Sequence, residues 1–280
     1  MIPIKNDEFT AWRAYIKDLT GIYLDDTKAY LFESRFPPLL KETQSETYSE
    51  LFFKVKKDLT RGLEKKVIDL ITTGETSFFR DSSPFELFRF KILPDLIDHN
   101  SKLSPKSEPI SLKIWSAACS TGQEIYTLAI LLKETLGNLD NYKIRLMATD
   151  ISDAALAKAS YGVYNEIEID RGLSEELRRR YFEPHPKGWK IKDEIRTLVA
   201  FQNLNLMQDF SFLGTWDVIF CRNVAIYFQE PERKSLFDRL GKSLDSHGAL
   251  VIGSTETLTG LCPQYEPKRY HRSVYYQITS

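Results

Sequence analysis

Cysteine is scarce in this chain of 280 residues, and its few cysteines exclude two classes of protein. Cys119, Cys221 and Cys262 form no C-x-x-C pair, so neither a disulfide scaffold nor a cysteine-type zinc site is expected, and no metal site is predicted. The chain also lacks the basic-then-apolar start of a signal peptide and any run of about 18 apolar residues that could span a membrane. We expect a cytoplasmic protein that does not insert into membranes.

An excess of charge of one sign is missing as well. The 38 lysines and arginines nearly balance the 39 aspartates and glutamates, which gives a net charge of −1. A protein whose whole surface binds nucleic acid would be strongly basic, so that class is excluded and no nucleic-acid partner is expected. The length and the 42% of apolar residues suffice for one large domain or two modest ones.

Helical spacing of apolar residues dominates the first part of the chain. Four apolar stripes with no strand pattern between them predict a helical N-terminal domain over residues 1–80, with the aromatic residues in its core. The second stripe must bend or stop at the prolines 37–38. Residues 81–109 are expected to form a linker segment with a helix near 85–90 and an open stretch at 100–109.

From residue 110, short apolar runs alternate with helical patterns, which is typical of an α/β fold with a mostly parallel sheet. The predicted strands are 110–115, 142–148, 216–220, 249–253 and an edge-like 273–278, and the predicted helices are 124–136, 153–159 and 233–244. Between residues 161 and 204, a charged helix at 174–181 and β-prone runs at 189–191, 196–199 and 201–203 predict an inserted small antiparallel β-subdomain.

Residues that follow the predicted strands are candidates for a ligand site, because ligands of open parallel sheets bind outside the carboxyl ends of the strands. The segment 116–124 holds small residues and Gly122, which let the backbone approach a ligand. Asp150 could accept two ribose hydroxyls or, alternatively, cap the next helix. Asn223 could hydrogen-bond a purine edge or an amino acid. These positions alone predict a nucleotide-like cofactor.

Four segments together closely resemble the motifs of chemotaxis receptor glutamate methyltransferases of the CheR type. They are TTGETSFFRD at 72–81, WSAACSTGQE at 115–124, ATDIS at 148–152 and FCRNVAIYF at 220–228. The resemblance implies a Rossmann-like methyltransferase domain at 110–280, with the β-subdomain inserted at 161–204. It also implies S-adenosylmethionine as cofactor, with S-adenosylhomocysteine as product, and methyl esterification of glutamates on the cytoplasmic helices of chemoreceptors.

The resemblance assigns site residues position by position. It implies that the cofactor contacts are Thr76, Arg80, Glu124, Asp150, Asn205, Leu206, Asn223 and Val224. Glu124 would take the cationic amino-acid end of the cofactor, Asp150 its ribose, and Asn205 would lie beside the adenine. Arg80 and Tyr227 would flank the methyl group as the catalytic residues.

Two positions depart from the family pattern. Gly74 stands where the family usually has asparagine, and Gln123 replaces the first of two adjacent acids. Each departure could weaken cofactor affinity, because a side-chain contact or a charge is missing.

The same residues disfavour two other enzymatic functions. A nicotinamide-dependent dehydrogenase is disfavoured because G-x-G-x-x-G is missing, and a nucleic-acid methyltransferase because the third strand is followed by neither its Asn/Asp-Pro-Pro-aromatic tetrapeptide nor its Pro-Cys nucleophile. A catalytically weak S-adenosylmethionine-binding signalling module stays open as the alternative.

Receptor recognition can be predicted in part. A basic helix face is expected in the family, and its candidates are Lys28, Arg35, Lys54, Lys56 and Lys57, although solvated surface charge explains them equally well. Family members that bind a receptor C-terminal pentapeptide carry Gly-x-Gly in a β-subdomain hairpin. The matching segment 182–189 has one glycine and two prolines, so we expect independence of that tether; a peptide-accepting edge near 196–199 is the alternative.

Overall fold

The computed structural model describes residues 2–279 except 104, 106 and 107. Its first helices are α1 (Asn6–Thr20), α2 (Ala29–Arg35), α3 (Pro37–Glu42), α4 (Tyr48–Lys57) and α5 (Gly62–Ile71). They confirm the predicted all-α N-terminal domain. The helix is interrupted between α2 and α3, as expected. Pro37 and Pro38 lack a backbone N–H and therefore occupy the first turn of a new helix, α3.

Aromatic side chains form the centre of this helical domain. Trp12 is fully buried, and its ring centroid lies 5.6 Å from that of Phe36 and 5.2 Å from that of Phe52, both edge to face. Its indole N–H donates a 3.1 Å hydrogen bond to the backbone carbonyl of Tyr48. Edge-to-face pairs stabilise a core beyond the area that they bury. The predicted stripes therefore meet in one core.

The segment after the helical domain is more helical than predicted. Helix α6 (Ser83–Leu87), a π-helical turn (Phe88–Ile92) and helix α7 (Leu93–Leu103) follow one another without a break. Helix α7 thus covers the beginning of the stretch 100–109 that was expected to be open. Residues 104, 106 and 107 of that stretch lie outside the described residues.

A seven-stranded sheet forms the centre of the second half. The strands found between residues 110 and 278 are β1 (Ile110–Ala117), β2 (Tyr142–Asp150), β3 (Val163–Tyr164), β4 (Phe182–His185), β5 (Gly188–Ile191), β6 (Val199–Asn203), β7 (Trp216–Cys221), β8 (Leu244–Ile252), β9 (Tyr265–Tyr270) and β10 (Ser273–Ile278). The large sheet has the order β6-β2-β1-β7-β8-β10-β9. Its first five strands are parallel, and β10 and β9 are antiparallel. The sheet is therefore of the predicted Rossmann-like, mostly parallel type.

Helices separate these strands along the chain. They are α8 (Gln123–Leu136), α9 (Asp153–Tyr161), α10 (Glu166–Asp170), α11 (Glu175–Tyr181), α12 (Asp193–Arg196) and α13 (Glu230–Lys242). One apolar cluster, with residues of α8 and α7, packs on one face of the sheet, and a second, with residues of α13, packs on the other. Among the described residues, no helix is both long enough and apolar enough to cross a lipid bilayer.

The inserted antiparallel sheet exists, but two of its predicted strands are wrong. It consists of β3, β5 and β4, in that order. The run predicted as a strand at 196–199 begins in helix α12. The run at 201–203 belongs to β6, which pairs in parallel with β2 at the edge of the large sheet. The alternative peptide-accepting edge near 196–199 is therefore not an edge of the small sheet.

The carboxyl-terminal edge of the large sheet also differs from the prediction. Strand β10 lies between β8 and β9, so it is not an edge strand. The edge is β9, whose sequence YEPKRY carries a proline and three charges and does not resemble a strand. Proline and charge are common on edge strands because they discourage pairing with another chain. The domain boundaries at 80, 109 and 161–204 stay predictions.

Candidate active site

A cavity of about 300 Å³ opens at the carboxyl ends of the parallel strands. The loops after β1, β2, β6 and β7 form its floor, and the helical domain contributes a wall. Every residue that the sequence assigned to the site lines this one cavity: Thr76, Arg80, Glu124, Asp150, Asn205, Leu206, Asn223, Val224 and Tyr227. The structure thus brings together residues that lie up to 151 positions apart in the chain.

The loop after β1 adopts an uncommon backbone conformation. Ala118, Ser120 and Gly122 have φ values of 61°, 51° and 93°, in the left-handed region that favours glycine. A Cβ atom on Gly122 would lie 2.9 Å from the Cβ atom of Ala159 on α9. A glycine is therefore needed at position 122, and the small residues keep this loop close against the cavity.

Asp150 is held at the end of β2 by backbone donors. Its Oδ2 accepts the N–H of Ser120 at 2.7 Å, and its Oδ1 accepts the N–H of Ser152 at 3.0 Å. The helix cap that the sequence left open as an alternative role for Asp150 is formed by Ser152, whose hydroxyl accepts the N–H of Ala155. Burial raises the pKa of the Asp150 carboxyl despite these hydrogen bonds.

The raised pKa of Asp150 predicts a pH dependence of cofactor affinity. Protonation turns one oxygen of the carboxylate into a donor and removes the charge that strengthens its hydrogen bonds, so affinity for S-adenosylhomocysteine is expected to fall as the pH falls through this raised pKa. Without a ligand, the stability of the protein depends on pH with the opposite sign. A raised acid pKa means that the folded state binds the proton more tightly, so the contribution of Asp150 to stability falls as the pH rises.

Calorimetric titration between pH 4 and pH 8 checks this expectation, with Asp150→Asn as the control. The asparagine variant should bind weakly and lose this component of the pH dependence. An unchanged pH profile in Asp150→Asn would assign the titration to another group.

Arg222 is a site residue that the sequence analysis missed. Its side chain is 2% exposed, and its guanidinium donates to Glu124 at 3.1 Å, to Asp81 at 3.1 Å and to the backbone carbonyl of Arg80 at 2.9 Å. Buried charges need partners of this kind, so Arg222 fixes both Glu124 and the loop that carries Arg80. Arg222 follows β7 directly, and the rule that selected its neighbour Asn223 would have found it.

Arg80 lies on a bent loop between the two domains. Its neighbours Phe79 and Asp81 have φ values of 49° and 54°, and its guanidinium donates to the backbone carbonyl of Glu75 at 2.8 Å. In the part of the chain that the structure describes, no carboxylate lies within ion-pair distance of Arg80. Its guanidinium therefore keeps donors for a ligand.

Glu256, a second residue that the sequence analysis missed, supports the loop after β7. Asn223 has a φ of 57°, and its backbone N–H donates to Glu256 at 2.9 Å. The same oxygen of Glu256 accepts the N–H of Gly253 at 2.7 Å, at the end of β8. Glu256 therefore ties the loops after two neighbouring strands together.

The helical domain touches three of the cavity loops. The Asn205 side chain donates to the backbone carbonyl of Leu19 at 2.8 Å, and the N–H of Tyr23 donates to the carbonyl of Tyr227 at 2.9 Å. On the β2 side, Asp69 of α5 accepts the Ser152 hydroxyl at 2.7 Å. The cavity is consequently complete only with both halves of the chain in place.

The two departures from the family pattern differ in their placement. Gly74 lines the cavity, and its carbonyl accepts the hydroxyl of Ser120 at 3.0 Å. Gln123 is 1% exposed and accepts the hydroxyl of Thr121 at 2.8 Å, with no part in the lining. Of the two, only Gly74 faces the ligand space.

Three of the five candidate basic residues make hydrogen bonds or a cation–π contact within the helical domain. Arg35 donates to the carbonyls of residues 70, 71 and 72, where α5 ends. Lys54 donates to the carbonyls of residues 43 and 44, and the Lys56 ammonium lies 4.1 Å from the ring centroid of Tyr15. Lys28 lines the cavity. The expected basic face is therefore thinner than the sequence suggests.

The residues present fit S-adenosylmethionine. Glu124 and Arg222 lie side by side and complement the amino and carboxylate charges of an amino acid. Asp150 offers acceptors for two ribose hydroxyls, and the apolar side chains of Leu204 and Leu206 line the same cavity. The Nε atom of Arg222 is buried and has no hydrogen-bond partner among the described residues, so a donor stays available. Pockets of about 300–1,000 Å³ are usual for ligands of this size.

Comparisons with known proteins agree with this site. The family model described as "CheR methyltransferase, SAM binding domain" matches residues 74–272, and "CheR methyltransferase, all-alpha domain" matches residues 7–72. The chain is 36% identical over 276 residues to chemotaxis protein methyltransferase Cher2 of Pseudomonas putida, covering 97% of this chain and 98% of that protein. It is also 36% identical over 280 residues to chemotaxis protein methyltransferase 1 of Vibrio cholerae, covering 99% and 98%.

A third relative has the same identity over a slightly shorter stretch. The chemotaxis protein methyltransferase of Borreliella burgdorferi is 36% identical over 262 residues, which cover 92% of this chain and 91% of that protein. Both family models and these near full-length matches include the residues around the cavity. The chain therefore belongs to the CheR methyltransferase family, with S-adenosylmethionine as its cofactor and methylation in chemotaxis as its function.

Proposed function

We propose that this chain methylates glutamate side chains on the cytoplasmic helices of chemoreceptors, acting in the cytoplasm and producing glutamate methyl esters and S-adenosylhomocysteine. The observation that carries the proposal is the composition of the cavity. Among the described residues, its lining includes no histidine, and its charged side chains are the cations Lys28, Arg35, Arg80 and Arg222 and the carboxylates Glu75, Glu124 and Asp150. A cavity of this kind suits an acceptor that is already an anion, because a glutamate carboxylate with a pKa near 4.3 needs no general base at pH 7.

The protein's part in this reaction is to position the cofactor and the acceptor carboxylate and to remove water from them. When bound, S-adenosylmethionine supplies an electrophilic methyl group on a cationic sulfur. Glu124, Asp150 and Arg222 would hold the cofactor, and the wall from the helical domain would exclude water from the acceptor carboxylate. Because opposite charges neutralise each other along this path, removing water and fixing the alignment supply most of the acceleration.

Arg80 would steer the acceptor carboxylate with a charge-assisted hydrogen bond. A contact with both oxygens would make the carboxylate a weaker nucleophile, so we expect Arg80 to bind one oxygen or the cofactor. Tyr227 lies at the same cavity and would complete the surroundings of the methyl group.

Peptide mapping tests the proposed acceptor. The purified protein, a chemoreceptor cytoplasmic fragment and S-adenosylmethionine should give fragments heavier by one methylene group at glutamates of the methylation helices. A receptor fragment with those glutamates changed to alanine is the control. Methylation at lysine or at a chain terminus would contradict the proposal.

Arg80→Ala and Tyr227→Phe are expected to lower turnover more than cofactor affinity. Both side chains would act next to the reacting methyl group, so each should lower kcat by about tenfold or more while the dissociation constant of S-adenosylhomocysteine changes less. Steady-state kinetics and calorimetry on the same preparations measure the two effects. Wild-type rates in both variants would remove these residues from the catalytic assignment.

The alternative is a signalling module that keeps the S-adenosylmethionine pocket but has lost turnover. It predicts tight cofactor binding and no receptor methylation at any enzyme concentration. The mapping experiment separates the two functions, because the module would leave every glutamate unmodified.

The small sheet offers little room for a receptor tail peptide. Strand β4 is one of its edges, and Pro184 on that edge has no N–H to donate. The hairpin continues at Gly188, where a Cβ atom would lie 2.2 Å from the carbonyl oxygen of Tyr164, so this glycine is required for packing. These features support recognition of the methylation helices without a pentapeptide tether.

Titration with a receptor tail peptide that bears tryptophan and phenylalanine checks this independence. We expect no saturable binding up to about 100 µM, weaker than the micromolar affinity that peptide addition to a sheet edge can give. Removal of the tail from a full receptor should leave the methylation rate unchanged. Micromolar binding that is lost when the β4 edge is altered would show that the tether exists.

A further inference from the structure

Helix α5 of the helical domain is bound to the turn that carries Asp150. Asp69 on α5 accepts the hydroxyl of Ser152 at 2.7 Å and the backbone N–H of Ala154 at 3.2 Å, both through Oδ1. One turn earlier on the same helix, the Lys65 ammonium pairs with Asp153 at 2.9 Å. Two side chains of one helix therefore hold three consecutive residues at the start of α9.

Ser152 connects this contact to the cofactor site. Its N–H donates to Oδ1 of Asp150 at 3.0 Å, while its hydroxyl accepts the N–H of Ala155 at 3.0 Å and donates to Asp69. Ser152 is 4% exposed, so water cannot readily replace Asp69 as the acceptor. The orientation of Asp150 thus depends on a residue whose own hydroxyl is fixed by the other domain.

We propose that Asp69 is a positioning residue for the cofactor site, through which docking of the helical domain fixes the turn that presents Asp150. The inference rests on the proposed ribose contact of Asp150 and is independent of the methyl acceptor. Binding of cofactor and docking of α5 then favour each other, because each orders the same turn.

Asp69→Ala is expected to weaken S-adenosylhomocysteine binding by about tenfold, because two hydrogen bonds that fix the turn are lost. Asp69→Asn should remain within about threefold of the wild type, since its amide oxygen can accept the same two donors. Lys66→Ala is the matched control on α5, because Lys66 pairs with Glu42 inside the helical domain. Calorimetry measures all four proteins without any receptor.

Hydrogen exchange distinguishes a positioning role of Asp69 from a purely structural one. In the wild type, S-adenosylhomocysteine should increase the protection of α5 as well as that of residues 150–156. In Asp69→Ala, saturating S-adenosylhomocysteine should still protect residues 150–156 but no longer α5. Should Asp69→Ala fail to fold, Asp69→Glu keeps the charge but displaces the carboxylate by one methylene group from both of its donors, and it should also lower affinity.

Wild-type affinity in Asp69→Ala, with ligand-dependent protection of α5 retained, would overturn the inference. A fall in thermal stability with unchanged affinity would do so as well, because it assigns Asp69 to folding alone. Failure of the proposed function looks different: the wild type would bind S-adenosylhomocysteine and respond to Asp69→Ala, yet leave receptor glutamates unmethylated.

Discussion

Replacing Asp150 by alanine should weaken binding of S-adenosylmethionine and S-adenosylhomocysteine by roughly thirtyfold to a thousandfold. The loss of a charged acceptor for two hydroxyls costs about 2–4 kcal/mol. The variant also leaves the backbone N–H groups of Ser120 and Ser152 without their acceptor, which adds to the effect. Isothermal titration with S-adenosylhomocysteine measures the change directly.

Asp140→Ala is the matched control for that experiment. Asp140 lies just before β2, at the end opposite the cavity, and is exposed. Its replacement should leave the affinity within about twofold, as is usual for a surface substitution. An unchanged dissociation constant in Asp150→Ala would remove Asp150 from the site.

Gly172→Ala should destabilise the protein by about 2–6 kcal/mol and lower turnover. Gly172 has a φ of 113°, and a Cβ atom there would lie 2.0 Å from the carbonyl oxygen of Phe78. Backbone strain of about 1–3 kcal/mol and overpacking of about 1–3 kcal/mol add up to this cost. Phe78 is two residues before Arg80, and the adjacent Arg171 pairs with Glu75 at 2.7 Å. A shift of the Phe78 backbone away from the clash therefore moves the loop that carries Arg80.

Denaturant unfolding and receptor methylation rates measure the two effects, with Gly214→Ala as the control. Gly214 has a φ of 74°, but no atom of the described residues lies within 4 Å of the position that a Cβ atom would occupy there. Its replacement should cost only the backbone strain, about 1–3 kcal/mol, and leave turnover unchanged. Equal destabilisation in the two variants would show that the contact with Phe78 has no role.

The central strands could be predicted because burial on both faces leaves a clear sequence pattern. Strand β7 is buried at all six positions, and its apolar sequence predicted a strand directly. The edge strands could not be predicted in the same way. β6 is only five residues long and partly exposed, so its local pattern does not reveal which sheet it joins. β9 contains Pro267 and charged residues, which are tolerated because one side of the strand is unpaired.

Site residues could be predicted where they directly follow a strand in the sequence. Asp150 and Asn223 follow this rule, and so does Arg222, although an arginine after a strand suggests a solvated side chain. Its burial depends on Glu124 and Asp81, which lie far away in the chain, so only the fold reveals it. Contacts between domains, such as Asp69 with Ser152, leave no local pattern at all.

The most direct test of glutamate methylation by this protein follows the methyl group itself. S-adenosylmethionine with a tritiated methyl group is incubated with the protein and a chemoreceptor cytoplasmic fragment, and the washed receptor is then treated with base. We expect the wild type to transfer label that base releases as volatile methanol, as a glutamate methyl ester would, and Asp150→Ala to transfer almost none. Label that stays on the receptor after base, or tight cofactor binding with no label transferred, would contradict this expectation.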